Sequence, residues 1–180
     1  DIDKQFDKLI AIVKEATKFK EYDFLTLSKM VENMLPIFSN NDKYNQLYEL
    51  VTDKLANRNC EIQRAKMYLK KAKMLLSNNK YYESINILGK CLTFLYKNET
   101  DGKLVEAYVN IGGNFESIGL HYAAKNYYIA AITMFIDIYL KDRYLDSFSL
   151  KVINRIIDLE ISDGNIEEAI EWFSIKNILL

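Results

Sequence analysis

From near its start to near its end, this 180-residue chain repeats apolar residues at i, i+3, i+4 and i+7. That period puts them on one face of an α-helix, with polar residues on the other. Phe6, Leu9, Ile10 and Val13 form the first stripe and predict a helix from about Asp3 to Lys18. Phe24, Leu27, Val31 and Met34 predict a second, starting near Asp23 and ending or kinking at Pro36, whose ring and missing N–H interrupt a helix. Ser39-Asn40-Asn41-Asp42 has the composition of a turn and N-cap. Tyr44, Leu47, Leu50, Val51 and Leu55 carry a third helix to about Ala56, broken by Asn57-Arg58-Asn59. Ala65, Tyr68, Leu69, Ala72 and Leu75 make a fourth, stopping at Ser77-Asn78-Asn79. Tyr81, Ile85, Leu88, Cys91, Leu92 and Leu95 make a fifth, followed by a loop from Lys97 to Gly102.

In the sixth stripe Ala107, Tyr108, Ile111, Phe115 and Ile118 share a face. Gly112 lies on that face, where a side chain would hold a neighbouring helix away, and Gly119 suits a C-cap. Ala123, Ala124, Tyr127, Tyr128, Ala131 and Phe135 form the seventh, its alanines allowing close approach. Val152, Ile153, Ile156 and Ile157 form the eighth, ending at Ser162-Asp163-Gly164, and Ile166, Ala169, Ile170 and Phe173 the ninth. Strand-type alternation is absent and the chain has one proline and six glycines, so the expectation is an all-α fold of about nine helices.

Tyr108, Ile111, Gly112, Phe115, Gly119, Ala124, Tyr128 and Ala131 read Y-x-x-I-G-x-x-F, then Gly, then A-x-x-x-Y-x-x-A. This spacing resembles the tetratricopeptide repeat, a helix–turn–helix unit that stacks into a solenoid. Tyr68, Ala72, Leu75, Asn79, Ser84, Leu88 and Cys91 match it 40 residues earlier, and Ile153, Ile156, Ile157, Gly164, Ala169 and Phe173 match it 45 residues later. The last copy departs at Glu160, where an aromatic is usual, and at Lys176, where a small residue is usual. The resemblance covers about residues 62–177. It implies a right-handed superhelical solenoid with helix pairs at about 62–97, 103–140 and 146–178, preceded in residues 1–59 by helices that could be degenerate repeats of the same kind. It also implies a scaffold that binds protein or peptide on the concave side, lined by the first helix of each pair, with no chemistry of its own.

Charge and chemistry narrow this further. The formal net charge of -1 gives no global attraction to nucleic acid or anionic membrane. No apolar run approaches the roughly 20 residues a membrane helix needs, and no signal segment opens the chain. Cys60 and Cys91 read as small buried hydrophobes in a reducing compartment. The start at Asp1 and the uncapped Ile178-Leu179-Leu180 suggest an excised part of a larger protein, with a processed secreted chain as the alternative; the expected setting is the cytoplasm of a bacterium.

His121, the one histidine, opens the seventh helix as a structural residue. One His and two scattered Cys make no zinc site, no Ser-His-Asp arrangement stands out, and Gly112-Gly113 with Gly119 follows no strand, so it is not a dinucleotide fingerprint. The expectation is a protein that is not an enzyme and needs neither cofactor nor metal. Lys66, Lys70 and Lys73 share a helix face, with Arg64 and Lys71 beside them. They read first as a solvated surface, second as a docking patch for an acidic peptide or a phosphate-bearing ligand. Asp158, Glu160, Asp163, Glu167, Glu168 and Glu171 form an opposite pole, where Glu167 and Glu168 suit a helix first turn.

Some tetratricopeptide domains grip a partner's C-terminal carboxylates with Lys and Asn on the first inner helix, Asn on the second, and Lys and Arg one turn apart on the third. By resemblance, the matching places here hold Leu69 and Lys73, Asn110, and Lys151 and Arg155. Leu69 departs from the pattern, and Lys73 stands where Asn is usual. Lys73, Asn110, Lys151 and Arg155 are therefore the candidate site for a protein or peptide with an acidic C-terminus. The alternative function is a regulatory domain that senses a short signalling peptide in its groove.

Overall fold

A computed structural model describes residues 1–15, 20–56, 60–95, 101–142 and 147–180. These form α1 (Ile2–Glu15), α2 (Glu21–Phe38), α3 (Asp42–Ala56), α4 (Glu61–Ser77), α5 (Tyr81–Leu95), α6 (Asp101–Ser117), α7 (His121–Asp142), α8 (Ser147–Ser162) and α9 (Ile166–Leu179), with no strand among the described residues. The chain is an all-α solenoid. Each helix from α4 onward packs on the next, and α4 also meets α6.

The turns inside the pairs α4/α5, α6/α7 and α8/α9 are one structure used three times. Asn79, Gly119 and Gly164 each have positive φ, at 61°, 80° and 82°. After each, the next N–H reaches back to close the helix: Lys80 to the Leu75 carbonyl, Leu120 to Phe115 and Asn165 to Glu160, at 2.8, 2.9 and 2.8 Å. The Asn79, Gly119 and Gly164 N–H groups bond Leu76, Glu116 and Ile161. This is the Schellman closure, which satisfies carbonyls left open at a helix end and reverses the chain.

Three apolar clusters follow the stack. The first joins Phe6, Ile10 and Val13 of α1 to Phe24, Val31 and Leu35 of α2, to Tyr44, Tyr48 and Val51 of α3, and to Met67 of α4. The hydroxyl of Tyr44 donates to the Val31 carbonyl and that of Tyr48 to Met67, so both rings bury without an orphaned polar tip. The second joins α4, α5 and α6 around Leu69, Leu88, Cys91 and Ile111. The third joins α7 and α8 around Tyr128, Ile132, Ile153 and Ile156. Gly112 is needed where α6 meets α7: a Cβ there would lie 2.6 Å from Cε1 of Tyr128.

Several expectations are corrected. Helix α2 neither ends nor breaks at Pro36 but runs on to Phe38. Pro36 lies so near the C-terminus that the one bond it forfeits costs little. Asp101 and Gly102, expected in a loop, begin α6. In α9 only Ala169 of the expected stripe is buried; Ile166, Ile170 and Phe173 are exposed. The expected helix end at Lys18, the break at residues 57–59 and the loop residues 97–100 lie outside the described residues. Asn41 caps α3 as expected, its Oδ1 accepting the Tyr44 N–H at 2.9 Å.

Candidate functional site: the inner helix face

The first helices of the pairs, α4, α6 and α8, are tied together by charged side chains. Lys73 of α4 reaches Glu106 of α6 at 2.6 Å, and Lys103 holds the other oxygen of that carboxylate at 2.6 Å. One helix further on, Arg155 of α8 clasps Glu116 of α6 with two nitrogens, Nε lying 3.0 Å from Oε2. Glu116 also accepts from the hydroxyl of Tyr128 on α7 at 2.8 Å. The pattern extends backward, where Lys70 of α4 lies 4.0 Å from Glu32 of α2 and Gln63 donates to Glu32 at 2.8 Å. Successive inner helices are thus joined by cation–carboxylate bridges.

These bridges set the protonation states. Burial alone would raise the Glu106 carboxyl, but the hydrogen bonds from Lys103 and Lys73 outweigh it and hold the pKa below the ordinary value. Burial would likewise lower Arg155, and the Glu116 carboxylate overrides it in the opposite direction. The faces stay open even so: Lys73 and Arg155 keep 55% and 56% of their side-chain surface exposed.

The four candidate residues are placed as follows. Asn110 spends its amide on the Glu106 backbone carbonyl one turn back, at 2.7 Å, and so sits beside the Lys73–Glu106 pair. Arg155 and Lys151 are one turn apart on α8, Lys151 exposed. Lys73 bonds the Glu106 carboxylate, Asn110 the Glu106 backbone carbonyl, and Arg155 bonds Glu116, ten residues further along α6. Ten residues of helix span about 15 Å. The set is therefore two cationic points, one against α4 and one against α8, rather than a single cup, and each point already holds a carboxylate. Sequence reasoning missed both glutamates, which carry no signature beyond their type. Leu69, in the place of the first clamp lysine, is buried in the core.

The remaining singled-out residues are structural. His121 Nδ1 lies 2.6 Å from Oδ1 of Asp163, and Lys125 bonds Asp163 at 3.0 Å and Glu160 at 2.8 Å. Asn165 donates to the same Glu160 oxygen at 2.8 Å. This network ties the start of α7 to the end of α8 and accounts for Glu160 where an aromatic was expected: Lys125, not a ring, fills the contact. Lys71 bonds Glu49 at 2.8 Å and covers the Tyr48 ring, so the basic stretch of α4 is largely engaged. Both cysteines are buried, and burial pushes the Cys91 thiol up to about 12. Among the described residues no group of His, Cys, Asp and Glu could hold a metal, and no helix is long and apolar enough to cross a membrane.

The solved structure titled the apo form of RapI superposes on 94% of the chain with a TM-score of 0.71 and 15% sequence identity. The chain has the fold of a helical repeat protein. It spans 60% of the length of the RapI chain. At that identity the likeness speaks for the fold alone. No family model and no curated protein matches the sequence.

Proposed function

We propose that the chain is a non-catalytic protein- or peptide-binding module that works through the inner face of α4, α6 and α8, and that its partner presents carboxylates there. The observation that carries this is the half-exposed state of Lys73 and Arg155 beside exposed Lys151. A guanidinium has five N–H donors, of which Glu116 takes only part. A lysine with a single carboxylate likewise has donors to spare. An incoming acidic group gains charge-assisted hydrogen bonds at both points. The buried, unbridged Cys91 thiol fits a reducing, intracellular setting.

One observation favours the regulatory reading within this function. The bridges Lys73–Glu106 and Arg155–Glu116 run between helices, not along them. A peptide carboxylate that competes for either cation loosens an inter-helix tie, so its binding biases how the inner helices sit on each other. A ligand shifts an equilibrium only by such differential contacts.

The test is calorimetric titration with a peptide ending in consecutive acidic residues, against the native protein, Lys151→Ala and Arg155→Ala, at low and high salt. Binding that weakens in both variants and with salt supports the reading. Equal affinity in all three proteins removes the inner face as the site.

A further inference from the structure

The two cationic points of the inner face are joined by a continuous row of residues on α6. Glu106, Asn110, Gly113 and Glu116 follow one another at steps of four, three and three residues. Residues three or four apart are neighbours on a helix surface, so the row runs along α6 and drifts across it. It starts at Glu106, held from α4 by Lys73, and ends at Glu116, held from α8 by Arg155. Asn110 and Gly113, between the ends, are half-buried and belong to none of the three apolar clusters. A Cβ on Gly113 would meet Leu76 and Tyr128 at 3.6 and 3.7 Å. Without one, the middle of the row stays low, where another backbone can approach.

Charge and exposure favour an anionic ligand here. Lys73 and Lys103 share Glu106 and Arg155 holds Glu116, so three cations meet two carboxylates along the row. The side chains of Glu106 and Glu116 are only 20% and 15% exposed, against 55% and 56% for Lys73 and Arg155. The glutamates are covered, and the cations are what a ligand touches. One acidic group cannot serve both ends, which lie about 15 Å apart along α6. An extended chain advances roughly 3.3 Å per residue, so its positions i and i+4 stand about 13 Å apart with side chains on the same face. Side-chain length makes up the difference. In a helix the same two positions are only about 6 Å apart, too close to reach both ends.

We propose that the ligand of the inner face is an extended peptide with acidic residues at i and i+4, one for Lys73 and one for Arg155, its backbone crossing α6 over Gly113. This rests on the reading of that face as a site for an acidic partner, and it specifies the form of the partner. Once the first carboxylate is bound, the second meets its cation intramolecularly, at an effective concentration set by how well the spacer matches the span. Adjacent acidic residues reach one end only.

The probes are Thr/Ser peptides of equal length with blocked ends and two aspartates, placed adjacent, one residue apart or three residues apart. A hydrocarbon-stapled helix with aspartates at i and i+4 is the conformational control. Affinities are measured by calorimetry at low salt for the native protein, Lys73→Ala and Arg155→Ala, with circular dichroism to show that the variants are folded. The spacing series on the native protein stands without any variant. The expected result is that the three-residue spacer binds about tenfold tighter than the adjacent pair. The stapled helix should bind no better than the adjacent pair, and either variant should bring the spaced peptide down to that level. Equal affinity at all spacings, a stapled helix that binds as tightly as the spaced peptide, or a spacing preference that survives in both variants overturns the proposal and leaves the acidic-partner reading standing. Binding by none of the peptides overturns both.

Discussion

Gly112 of α6 lies against the ring of Tyr128 of α7, so closely that a Cβ would come within 2.6 Å of Cε1 and 2.8 Å of Cδ1. Tyr128 has nowhere to retreat, being 4% exposed with its hydroxyl held by Glu116. Gly112→Ala should therefore destabilise by about 1–3 kcal/mol despite alanine's better helix propensity. The neighbouring Gly113 is the control. Its Cβ would meet Leu76 at 3.6 Å, an ordinary contact, so Gly113→Ala should be neutral or stabilising by up to about 1 kcal/mol. Urea unfolding of the two variants should separate them in opposite directions.

Lys125 and Glu160 bridge two helix pairs at 2.8 Å with side chains 10% and 8% exposed. Removing one partner leaves a buried charge. Lys125→Met and Glu160→Met should each cost about 3–5 kcal/mol, while the double variant should recover much of that loss. A double-mutant cycle checks it. Additive losses would mean that the two groups act independently.

How much of this was legible follows from how local each cause is. Gly119, Gly164 and Asn79 mark the turns because a single residue's backbone freedom decides a helix end. Stripes such as Ala65, Leu69 and Ala72 were readable because one period places them all. Pro36 was overread, since its effect depends on its distance from the helix end. Ile170 and Phe173 follow the same periodicity as Leu88, and periodicity does not say whether a helix lies above. Lys125–Glu160 and Lys73–Glu106 are pairings across more than thirty residues, invisible without the stack. Asn114 was missed for the same reason. It is fully buried on α6, and its amide donates to Ser84 of α5, whose hydroxyl donates to the Ala72 carbonyl of α4, each at 2.9 Å.

The depressed Glu106 carboxyl gives stability a signed pH dependence. Its folded pKa lies below the unfolded value of about 4.3. The contribution is whole above that unfolded value and is lost as pH falls through the lower, folded one. Glu106→Gln should be less stable than the native protein near neutrality, and the gap should close as pH falls below the unfolded value. Urea midpoints measured across that range test this, and a gap that widens toward low pH would contradict it. Asp163, lowered by hydrogen bonds from His121 and Lys125, adds a loss of the same sign.

In the proposed function the inner-face cations serve an acidic partner while lent to the protein's own carboxylates. Lys73 and Lys103 share Glu106, each at 2.6 Å. Removing that negative charge frees both amines for an external carboxylate. The most direct measurement is the affinity of Glu106→Gln for the acidic peptide, by calorimetry at physiological salt and neutral pH, under conditions where the variant remains folded. Binding several-fold tighter than to the native protein, by about 1 kcal/mol, is the predicted result. Unchanged or weaker binding by the folded variant would contradict the account.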